Sequence, residues 1–312
     1  MWFESPTEEL GLLGRHLGVT LLAKRDDLLP FPLAGNKARK LRAEFNALST
    51  EPDLIVTNGA VASNHCRTVA IMCAMRGMAC HLVLHGDPDD DGTSASVRML
   101  RDLGARYTIV SPGRISDAIA EVVRTSEGSG GVPHVLPGGC HTPAGAVAYR
   151  DAAHTVLDEQ RPSWVIVASG TGATHGGIAA AAHARGDHAQ VVGISVARTA
   201  ERGVAAVSEA ARWAGAPTDL AIDFRDEHVD GGYGHYEQET LEAVSLGWRF
   251  GLPLDPTYTG KAFAGLLAMV GSGEISRDDR VLFWHTGGLM NYLAPTAAPR
   301  RGLRGDGQAA SA

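Results

Sequence analysis

Strand-like and helix-like patterns alternate along almost the whole chain, and this alternation limits the possible folds more than any other feature. Short apolar runs such as residues 54–57 (LIVT) and 164–168 (WVIVA) are each followed by a segment with apolar residues at helical spacing. This order favours parallel sheets flanked by helices on both faces, so the sequence predicts an α/β fold. The predicted strands are 19–24, 54–57, 79–84, 107–110, 164–168, 191–195 and 280–284, and the predicted helices are 37–48, 63–75, 94–102, 115–125, 143–158, 175–184, 201–213, 237–250 and 261–270.

The length of 312 residues allows a large core and favours two domains or one large one. A break at residues 161–163 (RPS) comes just before a new strand. We therefore expect a smaller domain, residues 49–158, to be inserted into a larger one formed by residues 1–48 and 159–298. The polar tail, residues 299–312, is predicted to be disordered.

Charge and composition argue against several classes of function. The net charge of −7 disfavours non-specific binding to nucleic acids and to anionic membrane surfaces. No apolar run reaches transmembrane length, and the N-terminal residues lack the basic region of a signal peptide. Four cysteines show neither metal-site spacing nor disulfide-scaffold density, so we expect a reduced, cytoplasmic protein without a bound metal. We expect these cysteines to be buried, and Cys140 is the one that could instead be a reactive thiol: Cys66, Cys73, Cys80 and Cys140.

Residues 33–41 (LAGNKARKL) contain the lysine on which we place the chemistry. Gly35-Asn36 is typical of a turn, and a helical pattern begins at Lys37. The positive end of that helix, together with burial, would lower the pKa of Lys37. A lysine in this state can attack a carbonyl as the free amine. The alternative is that Lys37 is one of several solvated cations on the helix.

Two loops at the ends of predicted strands are candidate anion sites, because ligands of α/β sheets bind at the carboxyl ends of strands. In residues 58–65 (NGAVASNH), Ser63 or Asn64 could cap the next helix, whose first N–H groups would bind a carboxylate or a phosphate. Capping without any ligand is the alternative reading of this loop.

The second loop, residues 169–177 (SGTGATHGG), combines glycines and hydroxyls before a helix. A Walker A loop would need Gly-Lys-Ser/Thr at residues 175–177, where His-Gly-Gly stands. A dinucleotide fingerprint would need glycine in place of His175. A single phosphate held by backbone amides is therefore favoured, and a purely structural turn is the alternative.

Five motifs occur together and in order, and with them the chain resembles the D-cysteine desulfhydrase and 1-aminocyclopropane-1-carboxylate deaminase family. This family is part of the tryptophan-synthase-β-like, fold type II pyridoxal-phosphate enzymes. The resemblance extends over roughly residues 10–294, and it implies two α/β domains with the cofactor in the cleft between them, in a homodimer. The motifs are GNKARK at 35–40, SNH at 63–65, SGTGATHGG at 169–177, DPTYTGK at 255–261 and HTGG at 285–288.

The resemblance also implies roles for individual residues. Lys37 would bond to pyridoxal phosphate and act as general base. Asn64 would hydrogen-bond the phenolic oxygen of the cofactor, and Ser63, Asn64 and His65 would bind the substrate carboxylate. Tyr258 would lie against the pyridine ring. The remaining assignments are Thr259 at the ring nitrogen, Tyr233 as a second active-site tyrosine, and Gly170, Thr171, Gly172, Ala173, Thr174 and Gly176 around the cofactor phosphate.

The implied reaction is α,β-elimination from a small β-substituted amino acid, with D-cysteine giving pyruvate, hydrogen sulfide and ammonia. Deamination of 1-aminocyclopropane-1-carboxylate, β-replacement, and a non-catalytic pyridoxal-phosphate carrier or regulator are the alternatives. Cyclopropane deaminases of the family typically carry Glu where this chain has Thr259, which favours elimination. The chain departs from the family at residues 138–141, where Gly-Gly-Cys-His replaces Gly-Gly-Ser-Asn, and this leaves the substrate side chain open.

Overall fold

Two β-sheets flanked by helices organise the chain in the computed structural model, which describes residues 4–86, 94–186, 189–229 and 231–293. The α/β prediction is confirmed. The predicted disordered tail lies outside the described residues. The strands are β1 (Thr7–Glu9), β2 (Thr20–Arg25), β3 (Leu54–Ala60), β4 (Ala79–His85), β5 (Arg106–Val110), β6 (Pro133–Leu136), β7 (Trp164–Ser169), β8 (Gln190–Ser195), β9 (Asp223–Arg225) and β10 (Arg280–His285).

Helices cover both sheets, and none of those in the described ranges combines the length and apolar character needed to span a membrane. They are α1 (Gly11–Leu17), α2 (Asn36–Ala47), α3 (Asn64–Arg76), α4 (Ala95–Asp102), α5 (Ile115–Gly128), α6 (Pro143–Gln160), α7 (Ala173–Ala184), α8 (Ala200–Trp213), α9 (Gln238–Arg249), α10 (Thr259–Gly271) and α11 (Leu289–Leu293).

The larger sheet has the strand order β1-β2-β10-β7-β8-β9. Every neighbouring pair in it is parallel except β1 and β2, which are antiparallel. All six residues of β7 are buried, which explains why its sequence is a continuous apolar run and not an alternating one.

The smaller sheet has the order β5-β4-β3-β6 and is parallel throughout. Its core includes Cys66, Cys73 and Cys80, as predicted, packed with residues of α2 and α3. Both sheets thus present the carboxyl ends of parallel strands to the loops that carry the motifs.

Some short elements were missing from the sequence prediction: β1, β6, β9, α1 and α11. Each has seven residues or fewer, too few for a periodic pattern to be recognised. Strand β6 illustrates the cause, because its four residues are ordered by parallel pairing with β3, about 80 positions away in the sequence. Such pairing is a tertiary effect that the local sequence does not indicate.

The predicted starts of two helices are confirmed by their caps. The Ser63 hydroxyl accepts a hydrogen bond from the Cys66 N–H, so α3 begins at Asn64. The Thr142 hydroxyl accepts from the Gly145 N–H, and Pro143 occupies the first helical position of α6.

Candidate active site

The first turn of α2, which carries Lys37, is held against two other motifs. Gly35 pairs with Gly287 in the loop after β10, and a Cβ on Gly35 would lie only 2.8 Å from the Thr286 carbonyl oxygen. The Asn36 N–H donates to that oxygen at 3.0 Å. The Asn36 side-chain amide donates to the Thr174 hydroxyl in α7 at 3.2 Å. Residues far apart in the sequence are therefore brought to one place around Lys37.

Lys37 lines two cavities. The larger cavity, of about 400 Å³, is also lined by Ser63, His65, Thr171 and other residues of the loops that follow β3, β7 and β8. The smaller cavity, of about 240 Å³, is also lined by Asn64 and by residues of the loop after β10. Volumes of this size accept a small molecule and not a macromolecule.

The amine of Lys37 is suited to act as a nucleophile or base. Burial, reinforced by the neighbouring Lys40 ammonium, holds the pKa of Lys37 well below its ordinary value. Lys40 itself is buried and donates to the Gly139 carbonyl oxygen at 2.6 Å, and burial lowers the pKa of Lys40 to about 8. The lowered pKa favours the free amine of Lys37, the form that can attack a carbonyl or take a proton.

The glycine loop before α7 forms a cradle of N–H groups. Within the described chain, the N–H groups of Gly170, Thr171 and Gly172 donate to no other residue. Gly172 has φ +105°, and a Cβ there would lie 2.9 Å from the backbone carbon and oxygen of Ala206. Only glycine fits this conformation, and helix α7, starting at Ala173, aims its positive end at the same point. The arrangement is that of a site for one anion.

The N-terminus of α3 forms a second place for an anion, and one of its side chains has a fixed orientation. Arg67 donates to the Asn64 Oδ1, to the Ala62 carbonyl oxygen at 2.9 Å and to the Asn291 Oδ1 at 2.8 Å. The Asn64 Nδ2 has no acceptor among the described residues, so it can donate to a ligand. Ser63, the cap, lies beside it and is buried.

His65 is buried and lines the larger cavity, and its Nδ1 is itself buried with no hydrogen-bond partner among the described residues. Its Nε2 lies 2.8 Å from the Thr57 hydroxyl oxygen. That hydroxyl gives its only proton to the Leu136 carbonyl oxygen at 2.8 Å, so His65 Nε2 must be the donor of the first bond. Burial, together with the positive charges of Lys37 and Lys40, holds the pKa of His65 well below its ordinary value. The neutral ring cannot donate to a carboxylate, so the predicted carboxylate contact would have to use the backbone N–H of His65.

Tyr233 and Tyr258 meet at the wall of the larger cavity. Their hydroxyl oxygens are 2.6 Å apart, and the rings pack edge to face with centroids 5.8 Å apart. Burial raises the pKa of both phenols, so both are neutral and can donate hydrogen bonds. The structure thus brings both predicted tyrosines to one site.

The structure does not bring the Thr259 hydroxyl to either cavity. Thr259 is fully buried, and its hydroxyl donates to Asp255 Oδ1 at 2.8 Å and accepts from the Asp255 N–H at 2.9 Å. Its contact with a cofactor ring nitrogen remains a prediction. Thr286 lines the smaller cavity beside Lys37 instead, although the sequence reading gave it no role. The position of Thr286 directly after the last strand could have indicated that it lies at the site.

Asp27 is a site residue that sequence reasoning missed. Its carboxylate lies 3.1 Å from His285 Nδ1 and accepts from Arg25 at 2.7 Å at the edge of the smaller cavity. Burial alone would raise the pKa of Asp27, but the hydrogen bonds from His285 and Arg25 outweigh it and lower the pKa to about 2. Nothing in its local sequence distinguishes Asp27 from a surface carboxylate.

Cys140 is buried as expected, and this burial raises the pKa of its thiol, so the thiol is neutral and not reactive. His175 is also buried: its Nδ1 lies 3.3 Å from the Ser169 hydroxyl oxygen, its ring packs on Gly193 and Phe224, and burial lowers its pKa to about 4.

Known proteins share this arrangement of sheets and loops. Residues 2–287 match the model of a family described as pyridoxal-phosphate dependent enzymes. The chain belongs to this family. The predicted enzyme class and cofactor are confirmed.

Two relatives and two solved structures show where in the family the chain lies. It is 34% identical to the D-cysteine desulfhydrase of Yersinia enterocolitica, with 93% of both chains covered. It is 29% identical to a putative 1-aminocyclopropane-1-carboxylate deaminase of Pyrococcus horikoshii, covering 92% of this chain and 90% of the relative.

Among solved structures, an ACC deaminase homologue matches with a TM-score of 0.83 and 29% identity, covering 93% of this chain and 91% of the other. A threonine deaminase of Solanum lycopersicum matches with a TM-score of 0.66 over 91% of this chain and 83% of the other. At 16% identity the latter shows the shared fold alone. The fold type II prediction is confirmed.

Proposed function

We propose that this enzyme is a lyase that eliminates the β-substituent of a small amino acid, and that D-cysteine is its substrate. D-cysteine and one water would give pyruvate, hydrogen sulfide and ammonia. One observation carries the proposal: Lys37, whose pKa is lowered, shares one cavity with the N-terminus of α3 and with the N–H cradle before α7. The relative from Yersinia enterocolitica, named D-cysteine desulfhydrase, supports the choice of substrate.

The residues present fit pyridoxal phosphate. The cradle at Gly170–Gly172 has three N–H groups without a protein acceptor in the described chain and would hold the phosphate. Lys37 would bond to the aldehyde carbon, and Asn64 Nδ2 would donate to the phenolic oxygen. Tyr258 would pack against the ring, with Thr259 buried behind it. When bound, the cofactor supplies an electron sink at the substrate α-carbon.

The chain's own residues supply binding and proton transfer. The substrate carboxylate would be held at the N-terminus of α3, by Ser63, Asn64 and the backbone N–H of His65. Lys37 Nζ, whose pKa is lowered by its surroundings, would take the α-proton as general base. The paired Tyr233 and Tyr258 would close one wall of the cavity and keep bulk water from the reacting carbon.

Deamination of 1-aminocyclopropane-1-carboxylate is the second candidate, and the relative from Pyrococcus horikoshii favours it. One residue argues against this activity, because Thr259 occupies the position where cyclopropane deaminases typically carry Glu. The hydroxyl proton of Thr259 is already donated to Asp255. A neutral residue with a committed proton provides less stabilisation for a protonated ring nitrogen than a carboxylate does.

Release of pyruvate and sulfide from a panel of D- and L-amino acids tests the proposal. We expect D-cysteine to have the highest kcat/KM, with one sulfide formed for each pyruvate. Addition of a second thiol should leave the products unchanged. A β-replacement synthase would instead consume the added thiol and form a thioether. A higher kcat/KM for 1-aminocyclopropane-1-carboxylate than for D-cysteine would overturn the proposal.

We also propose a cytoplasmic homodimer with two domains in each subunit, one around each sheet. Strands β3–β6 all fall within residues 49–158, and the other strands fall outside it. Two helices cross the boundaries expected from the sequence. Helix α2 packs on the smaller sheet, with Leu41 in that core, and α6 packs on the larger sheet, with Tyr149 in its core. We therefore place the domain boundaries before α2 and before α6.

A further inference from the structure

Lys261, the last residue of the 255–261 motif, is a buried cation held in a cage of carbonyl oxygens. Its side chain is fully buried, and its Nζ donates to three backbone carbonyl oxygens: that of Val196 at 3.4 Å, that of Gly232 at 3.1 Å and that of Val229. Three carbonyl oxygens match the three N–H donors of a protonated amine. Backbone carbonyl oxygens are also the groups with which proteins bind free monovalent cations.

The helix that carries Lys261 is fixed at its start. Helix α10 begins at Thr259, directly after the cavity-wall residue Tyr258. The Asp255 carboxylate accepts the N–H groups of Thr257, Tyr258 and Thr259, each at 3.0 Å, so the first turn is held by hydrogen bonds of its own. Lys261 follows in the same turn. Its position therefore does not depend on the loop that it contacts.

The loop that carries Tyr233 is irregular. It connects β9 to α9, and three of its glycines have positive φ, at +83°, +118° and +78°: Gly231, Gly232 and Gly234. Its backbone bonds from the Gly232 N–H to the Val229 carbonyl oxygen at 3.0 Å and from the His235 N–H to the Gly232 carbonyl oxygen at 3.2 Å close turns within the loop itself. Turns of this kind do not fix a glycine-rich loop against the rest of the protein, so its position requires contacts from outside.

Lys261 supplies such contacts. Val229 and Gly232 bracket the turn immediately before Tyr233, and both accept hydrogen bonds from the Lys261 ammonium. The third acceptor, Val196, directly follows β8 and lines the larger cavity together with the two tyrosines. One ammonium group thus ties the loop both to the end of β8 and to the start of α10.

We propose that Lys261 is the positioning residue of Tyr233: its ammonium acts as a built-in cation that holds the carbonyl oxygens of the loop and so sets Tyr233 against Tyr258 at the cavity wall. The part that Tyr233 plays in turnover rests on the proposed function, whereas the placement of the loop rests on the contacts alone. Without the ammonium, the carbonyl oxygens would lose their donor and the loop would turn them towards water. Tyr233 would move with them, because it is the next residue after Gly232.

Hydrogen exchange of the peptide that contains Tyr233 tests the placement of the loop without any turnover. Lys261→Met keeps most of the side-chain volume but has no donor, and we expect that peptide to exchange about tenfold faster or more, while peptides of α10 change little. Lys24→Met is the matched control, because Lys24 is also buried, donates to the Ser5 carbonyl oxygen at 2.6 Å and lines neither cavity. This control should lose stability to urea while the Tyr233 peptide exchanges as in the wild type. Unchanged exchange in Lys261→Met, or faster exchange spread evenly over the chain, would overturn the proposal.

Lys261→Ala leaves room in the cage for a free cation. We expect ammonium chloride to slow the exchange of the Tyr233 peptide in this variant, because ammonium has N–H donors for the carbonyl oxygens. Tetramethylammonium chloride at the same ionic strength has the charge but no N–H, and it should have no effect. Neither salt should alter the wild-type loop, whose cage is filled, and this comparison does not depend on the folding of a variant. Equal effects of the two salts on the alanine variant, or a slower wild-type loop in ammonium, would mean that the cage does not hold the loop.

A kinetic cycle shows whether Lys261 acts through Tyr233. The value of kcat/KM is measured for D-cysteine, or for whichever amino acid of the panel is turned over, in Lys261→Met, Tyr233→Ala and the double variant. We expect each single change to lower kcat/KM about tenfold or more, and the double variant to fall no further than the worse of the two, because the position of the loop has no effect once Tyr233 is gone. Multiplied effects would assign Lys261 a different role and overturn the proposal. If no amino acid is consumed, the proposed function is wrong, while the exchange measurements still test Lys261.

Discussion

Replacing Gly172 with alanine should disable the phosphate cradle while the fold survives. The residue has φ +105°, and an alanine Cβ would approach the Ala206 backbone to 2.9 Å. The left-handed backbone alone costs an L-residue about 1–3 kcal/mol. Relief of the contact to an ordinary 3.4 Å requires the loop to move by 3.4 − 2.9, or about 0.5 Å. A shift of this size stretches the N–H bonds to a bound phosphate beyond a useful length.

Loss of one hydrogen bond to a charged group costs about 1.5–3 kcal/mol, which raises the dissociation constant roughly ten- to hundredfold. The assay is a titration of apoenzyme, followed by cofactor absorbance, with pyridoxal phosphate and separately with pyridoxal, which lacks the phosphate. We expect Gly172→Ala to weaken binding of the phosphate form by at least tenfold and binding of pyridoxal far less.

Gly215→Ala is the matched control. Gly215 has φ +93°, and a Cβ there would meet only the tip of Arg150 at 3.9 Å, so this variant carries the backbone strain without the clash. It should lose stability to urea yet bind the cofactor normally. If Gly172→Ala binds pyridoxal phosphate within twofold of the wild type, the cradle is not the phosphate site.

The other predictions concern Lys37, Thr259 and Asp27. Lys37→Ala should abolish the visible absorbance of lysine-bound cofactor and stop turnover, and a preserved spectrum would place the reactive lysine elsewhere, with Lys40 next. Thr259→Glu should raise cyclopropane deamination relative to D-cysteine breakdown, and an unchanged ratio would mean that this position does not control the choice. The pKa of Asp27 is lowered to about 2, so its stabilisation is present above pH 4 and is lost as the pH falls towards 2. The free energy of unfolding of the wild type, measured by urea denaturation, should therefore fall by about 2 kcal/mol more than that of Asp27→Asn over that pH window. Parallel pH dependences of the two free energies would contradict the prediction.

Local sequence was sufficient wherever the determining interaction lies within a few residues. Ser63 was one of two predicted caps for α3, and a cap can be predicted because it contacts an N–H three residues away. Strand β7 was predicted because burial on both faces makes its whole sequence apolar. The glycine loop before α7 was predicted to bind a single phosphate because the glycines needed for close approach are visible in the composition of the loop.

Local sequence was insufficient where distant residues decide. Helix α2 contributes Leu41 to the core of the smaller sheet, and α6 contributes Tyr149 to a core of the larger sheet, which the local sequence of neither helix indicates. The hydroxyl of Thr259 turns to Asp255 and away from the cavities, although its motif is the one that the family carries. Neither result could be read from a pattern, because each depends on which buried partner lies nearest after folding.

The sequence by itself determined the α/β class and the family of pyridoxal-phosphate dependent enzymes, and it predicted the lysine and the two anion sites, because each depends on residue types at short, fixed spacing. Only the tertiary structure decided what those residues can do. The pKa of Lys37 is lowered because folding desolvates it beside Lys40. His65 donates through Nε2 to Thr57, because the Thr57 hydroxyl gives its own proton to a carbonyl oxygen of β6. Protonation and hydrogen-bond direction depend on the solvation and the partners of a group, and those exist only once the chain is folded.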